Sequence, residues 1–123
     1  MRYVDGFVLT VPKKNIKAYT KMARDAGKIW MKYGALDYIE CVGDDLNPKW
    51  AKLTFPKLTR SKPSETVLYS FIIYRNKKHR DEVNKKVMKD PYMCDPKNKD
   101  MKMPFDMNKM AYGGFKSIVD FKR

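Results

Sequence analysis

The chain has 123 residues, 43% of them hydrophobic and 33% charged, with a formal net charge of +13. That length suits one domain with a buried core, and the mixture excludes an intrinsically disordered chain. No run of about 18 apolar residues is present to cross a membrane as a helix, and two cysteines with one histidine give no metal-ligand cluster.

Residues 3–11 are rich in β-branched and aromatic side chains and predict a strand that Pro12 stops. Asn15 is placed to cap a helix running to about Tyr33, where Gly34 ends it. Ile16, Tyr19, Ala23, Ala26 and Trp30 recur at steps of three and four and form one helix face. Residues 35–42 predict a second strand with room for a bulge, since Leu36, Tyr38 and Cys41 do not all share a face. Residues 46–64 carry Pro48, Pro56 and Pro63 and no clear period, so they predict a loop with a short extended piece at 53–55.

Residues 65–74 give the clearest strand. Val67, Tyr69, Phe71 and Ile73 take one face and Leu68, Ile72 and Tyr74 the other, which predicts cover on both. Asn76 can cap a helix over about 77–89, which Asp90-Pro91 closes. Residues 91–108 predict a Met-, Pro- and Lys-rich connection, and 109–120 a last strand interrupted at Gly113-Gly114. The order β-α-β, β-α-β predicts an α+β fold of the ferredoxin-like type over residues 1–123, an antiparallel sheet with two helices on one face. The Tyr, Phe and Ile side chains of the other face would form a large exposed patch, which predicts a homodimer.

Asp5 lies between Tyr3 and Phe7 on period two, so a carboxylate is expected on an apolar strand face. Burying it without partners is costly, so it is either a base or ligand contact, or a residue paired with a nearby donor. Arg80, Val83, Asn84 and Val87 share a helix stripe, where Arg80 and Asn84 suit an anion in a cleft or a structural ion pair. His79 points about a quarter-turn away; it is a weak candidate base and otherwise an exposed helix histidine. Lys14, Lys17, Lys21, Arg24, Lys28 and Lys32 cover a sector of about 80° opposite the first helix's apolar face. Nucleic acid or an anionic membrane could lie along that stripe, or it is a solvated outer face. Met93, Met101, Met103, Met107 and Met110 gather around the late connection, as core filling or as a pocket lining. The N-terminal segment carries an acid where a leader peptide needs an apolar run, so the expected location is the cytoplasm, with Cys41 and Cys94 reduced. Neither a metal nor a cofactor is implied.

Several motifs in order carry a resemblance. They are Tyr3-Val4-Asp5-Gly6-Phe7, Glu40-Cys41-x-Gly43-Asp44-Asp45, Phe55-Pro56, Arg80-Asp81-x-x-Asn84-x-x-x-Met88-x-Asp90-Pro91-x-Met93, Met103-Pro104-Phe105-Asp106 and Met110-x-Tyr112-Gly113-Gly114-Phe115. Across nearly the whole chain the sequence resembles the YbaA-like proteins, an uncharacterised bacterial family. It departs from the family pattern at Lys109, where an arginine is usual, and in its basic first-helix stripe. The resemblance implies the dimeric α-β barrel fold and no defined activity. Taken together, the sequence predicts a dimeric protein that binds a small anionic molecule between sheet and helices, with Arg80, Asn84, Asp106 and Tyr112 as ligand contacts. If the molecule is turned over, cofactor-independent proton transfer or oxygenation with Asp5 or His79 as base is the reaction type. The alternative is a basic module that binds nucleic acid or anionic membrane through the first-helix stripe.

Overall fold

A computed structural model describes residues 1–95 and 103–123. Strand β1 (Tyr3–Pro12) leads through a 3-10 turn into helix α1 (Ile16–Lys32), strand β2 (Asp37–Val42), helix α2 (Phe55–Thr59) and strand β3 (Glu65–Tyr74). Helix α3 (Lys77–Met88), the one-turn helix α4 (Pro91–Cys94) and strand β4 (Ala111–Lys116) complete the described elements. The four strands form one open sheet in the order β2-β3-β1-β4, with every neighbouring pair antiparallel. The long apolar strands β1 and β3 are central and pair along their whole length, Tyr3 opposite Tyr74 and Pro12 opposite Glu65. Met101, one of the clustered methionines, falls outside the described residues.

Five expectations need correction. Residues 55–59 are helical, because Thr54 accepts the N–H of Lys57 and Pro56 sits in the first turn, where a missing N–H is harmless. Residues 91–94 are also helical, with the Asp90 carboxylate accepting the N–H of Tyr92. Asn15 caps nothing; the preceding 3-10 turn carries the chain into α1, and the Asn15 amide donates to the carbonyl of Pro104 instead. Strand β4 passes through Gly113 and Gly114 in unbroken register with β1, and β2 has no bulge. Asn76 does cap α3, accepting the N–H of His79, and Gly34 ends α1's overrun at a φ of 111°.

Tyr3, Asp5, Phe7, Leu9 and Val11 of β1 share a face with Leu68, Ser70, Ile72 and Tyr74 of β3. Helices α1 and α3 cover that face, and Phe7 touches both halves of the core. One half gathers Ile72, Tyr74, Val83 and Val87; the other gathers Leu9, Val11, Tyr19, Ala23 and Leu68. The opposite face is covered at one end only, where α2 packs over β1 and β3 near the buried Thr10 and Val67. Beyond it Ile39, Tyr69 and Phe115 remain 41%, 47% and 63% exposed, so the predicted cover on both faces is incomplete within one chain. At the sheet's β1–β4 end, Arg2 grips the Asp120 carboxylate through Nε (2.8 Å) and Nη2, and the N–H of Ser117 donates to the Arg2 carbonyl. Among the described residues no helix is long and apolar enough to cross a membrane.

Helix α1 lies close to β2 because Gly27 has no side chain. A Cβ there would stand 2.8 Å from the Tyr38 ring, whose hydroxyl is tied to Glu40 at 2.8 Å and leaves the ring little freedom to move. Gly27→Ala gains about 1 kcal/mol of helix propensity and loses more to overpacking, so the net expectation is destabilisation by about 1–2 kcal/mol. Urea denaturation of the variant beside the wild type checks this; equal midpoints would show that Tyr38 moves aside freely.

Candidate functional site

Asp5 is a buried carboxylate, 2% exposed in the middle of the sheet. Strand alternation places it on the helix-covered face opposite Gly114 and Ile72. The Arg80 guanidinium reaches across from α3, and its Nη1 donates to Asp5 Oδ1 at 2.8 Å. The Tyr112 hydroxyl, from β4, donates to the same oxygen at 3.1 Å and accepts from Arg80 Nη1 at 2.8 Å. Arg80 Nε donates to Asp81 at 2.7 Å, and the guanidinium carbon lies 5.0 Å from the centre of the Tyr3 ring. Gly114 leaves the space that the Tyr3 ring fills, since a Cβ there would collide with it.

All the bonds to Asp5 meet at Oδ1; among the described residues, no donor reaches Oδ2. Burial pushes the Asp5 carboxyl above its usual range, and Arg80 and Tyr112 offset only part of that push. Burial works against the Arg80 charge, but Asp81 and Asp5 more than compensate and hold the guanidinium firmly protonated. Burial and the neighbouring Asp5 both raise the Tyr112 hydroxyl, so it stays a donor at neutral pH.

Asp5, Asn84 and Tyr112 form the polar edge of a cavity of about 680 Å³ between the sheet and the helices. Its wall is otherwise apolar: Met22, Met88, Met93, Met103, Met107 and Met110, with Phe7, Trp30 and Phe105. Asn84 is oriented by the Trp30 indole N–H, which its Oδ1 accepts at 3.1 Å, and by the Tyr74 hydroxyl at 3.4 Å. Asp5, Arg80, Asn84 and Tyr112 thus come together. Two candidates do not: Asp106 is exposed and caps the turn at 107–109 through the N–H of Asn108, and His79 is buried away from the cavity wall.

His79 is not the exposed residue expected of it. Its Nδ1 accepts the Arg75 N–H at 3.0 Å, its ring packs on Tyr74, and burial followed by the Arg75 charge lowers its pKa. It clamps the β3–α3 turn. The six basic residues of the first-helix stripe are all exposed. Lys21 pairs with Asp25 at 3.5 Å and Lys32 with the buried Asp90 at 3.4 Å. Sequence reasoning missed the Tyr19–Glu40–Tyr38 group, in which the buried Tyr19 and the half-buried Tyr38 donate their hydroxyls to separate oxygens of the half-buried Glu40 carboxylate at 2.7 and 2.8 Å. Tyr38 and Glu40 do alternate with Ile39, the one signal available.

Residues 2–107 match the family described as Protein of unknown function (DUF1428). The chain is 41% identical over 120 residues to "Uncharacterized protein YbaA" of Escherichia coli (strain K12), covering 98% of this chain and 99% of that one. It shows the same identity and coverage to "Uncharacterized protein YbaA" of Shigella flexneri. Among solved structures it is similar to the "De novo designed protein Foldit4", with 8% identity, a TM-score of 0.46, and coverage of 95% of this chain and 99% of that one.

Removing Arg80 would leave Asp5 buried and unpaired. Arg80→Ala is therefore expected to destabilise by about 3 kcal/mol at pH 7, the cost of breaking a buried pair from one side. The sign with pH follows from the raised carboxyl. A carboxyl raised in the folded state stabilises fully below its unfolded value of about 3.8 and loses that contribution as pH rises through the folded value. Without Arg80 the rise is larger, so the gap between variant and wild type should narrow as pH falls toward 4. Urea denaturation at pH 7 and pH 4 measures it; a gap constant with pH would mean that Asp5 keeps its charge without Arg80.

Proposed function

The chain belongs to the DUF1428 family of proteins of unknown function, and from the site itself we propose that it binds a small, largely apolar molecule between sheet and helices, with Asp5 receiving that molecule's polar group. One observation carries the reading. A buried carboxylate with a free oxygen lines an apolar cavity of about 680 Å³, within the size range of small-molecule sites. A small anionic molecule held by Arg80, the sequence expectation, fits this arrangement less well. The Arg80 charge is already taken up by Asp5 and Asp81, and the group left unpartnered is an acceptor. The ligand that answers it has a hydrophobic body and one hydroxyl or N–H. The methionine wall adapts to such bodies without strict shape selection.

The chemistry this arrangement supplies is proton transfer. The raised Asp5 carboxyl is a stronger base than a surface aspartate, and Arg80 with Tyr112 fixes Oδ1 while Oδ2 faces the ligand's acidic O–H or C–H. A cofactor-independent isomerisation or oxygenation would begin this way. The screen that tests the reading uses ligand-observed NMR with small aromatic and alicyclic fragments, some hydroxylated. Hydroxylated hits should weaken about tenfold or more in Asp5→Asn, and all hits should vanish in Met110→Trp, which fills the cavity. Hits indifferent to both variants, or none at all, would sink the proposal.

The same reading takes the fold as ferredoxin-like and the protein as a dimeric α-β barrel. Its support is the all-antiparallel order β2-β3-β1-β4 with a helix in each crossover, and the sheet face left uncovered around Ile39, Tyr69 and Phe115. A second copy stacked on that face would bury the patch. Light scattering at micromolar concentration should give twice the chain mass of 14.5 kDa, and Tyr69→Glu should halve it. A monomeric wild type refutes the dimer and leaves the cavity reading standing.

A further inference from the structure

Helix α1 has a second groove along its other flank, against the edge strand β2. It holds about 610 Å³ and is separate from the Asp5 cavity. We propose that this groove is a binding site for an anionic amphiphile, a carboxylate head on an aliphatic chain. Three features of the groove select that class.

Its floor is apolar: Ile16 and Ala23 of α1 face Val42 and Leu68 of the sheet, with Met31 at one end. An aliphatic chain laid there leaves water without giving up a hydrogen bond. Its charged floor residue, Glu40, has each carboxylate oxygen occupied by a tyrosine hydroxyl, from Tyr19 and Tyr38. Glu40 therefore repels an anionic head from the floor and fixes the ligand's direction, chain inward and head at the rim. The rim on α1 carries Arg24 and Lys28, one turn apart and both exposed. They stand between Lys21 and Lys32 on the stripe, yet only those two neighbours are paired with acids; among the described residues Arg24 and Lys28 have no ion-pair partner within 4 Å. Arg24 and Lys28 thus set unmatched positive charge where the groove opens, and a single carboxylate between the two side chains complements it.

The test titrates isotope-labelled full-length protein with laurate, dodecanol and dodecyltrimethylammonium, each below its micelle-forming concentration. Backbone and methyl NMR shifts should report laurate along Ala23, Met31, Val42 and Leu68. Arg24→Glu/Lys28→Glu, whose side chains lie in solvent, should weaken laurate about tenfold or more and reverse the preference toward the cationic amphiphile. Laurate binding unchanged by those substitutions would overturn the proposal, as would no binding, equal binding of all three probes, or shifts confined to Met88, Met93 and Met110. Groove shifts that depend on protein concentration alone would place a second copy there and also overturn it.

Discussion

The Asp5–Arg80 ion pair is the constraint on which the arrangement turns. A carboxylate at the centre of a sheet is tolerable only with a cation beside it. Supplying that cation from α3 fixes where the helix lies over the sheet. Tyr112 brings β4 to the same point, so one side chain of the central strand ties together two elements that are distant in sequence. The pair is also incomplete in a useful way. Its bonds gather on one oxygen, and the other is left without a donor among the described residues.

Much of this frame was legible in the residues. The alternation of β3 located it at its observed limits of Glu65 and Tyr74, and the period of Asp5 with Tyr3 and Phe7 put the acid on the covered face. The stripe of Arg80 and Asn84 was visible too, because a 3.6-residue period is a local property. Partners across the fold were not. Nothing in the sequence says that Arg80 finds Asp5 or that Trp30 orients Asn84, since neither pair shares an element. The helix at 55–59 hid among prolines that argue for a loop, although Thr54 and Pro56 are the residues a helix start prefers. His79 was misplaced for the same reason: helix periodicity gave its direction, but the β3–α3 turn that buries it is a tertiary feature.

The methionines show how composition takes on meaning only through placement. Along the chain, Met93, Met103, Met107 and Met110 could fill a core or line a pocket. Joined by Met22 from α1 and Met88 from α3, they line one cavity, and Met22, Met93 and Met110 also pack on the core. Helix α1 separates that space from the groove beside β2, and Gly27 lets it do so without standing away from the sheet. One helix thereby presents three surfaces: a buried seam, an apolar wall on one flank and a charged rim on the other.

The strand order carries a consequence for how the molecule is made. β1 precedes both of its neighbours, β3 and β4, by a long stretch of sequence, and Tyr3 pairs with Lys116 of the last described strand. On the ribosome this apolar strand therefore waits, its backbone unpaired and Asp5 without its cation, until β3 and α3 have emerged. The carboxylate that is a liability in the finished core is an asset during that interval. An ionised Asp5 in the middle of Tyr3–Val11 keeps the nascent strand hydrated and interrupts what would otherwise be a continuous aggregation-prone segment.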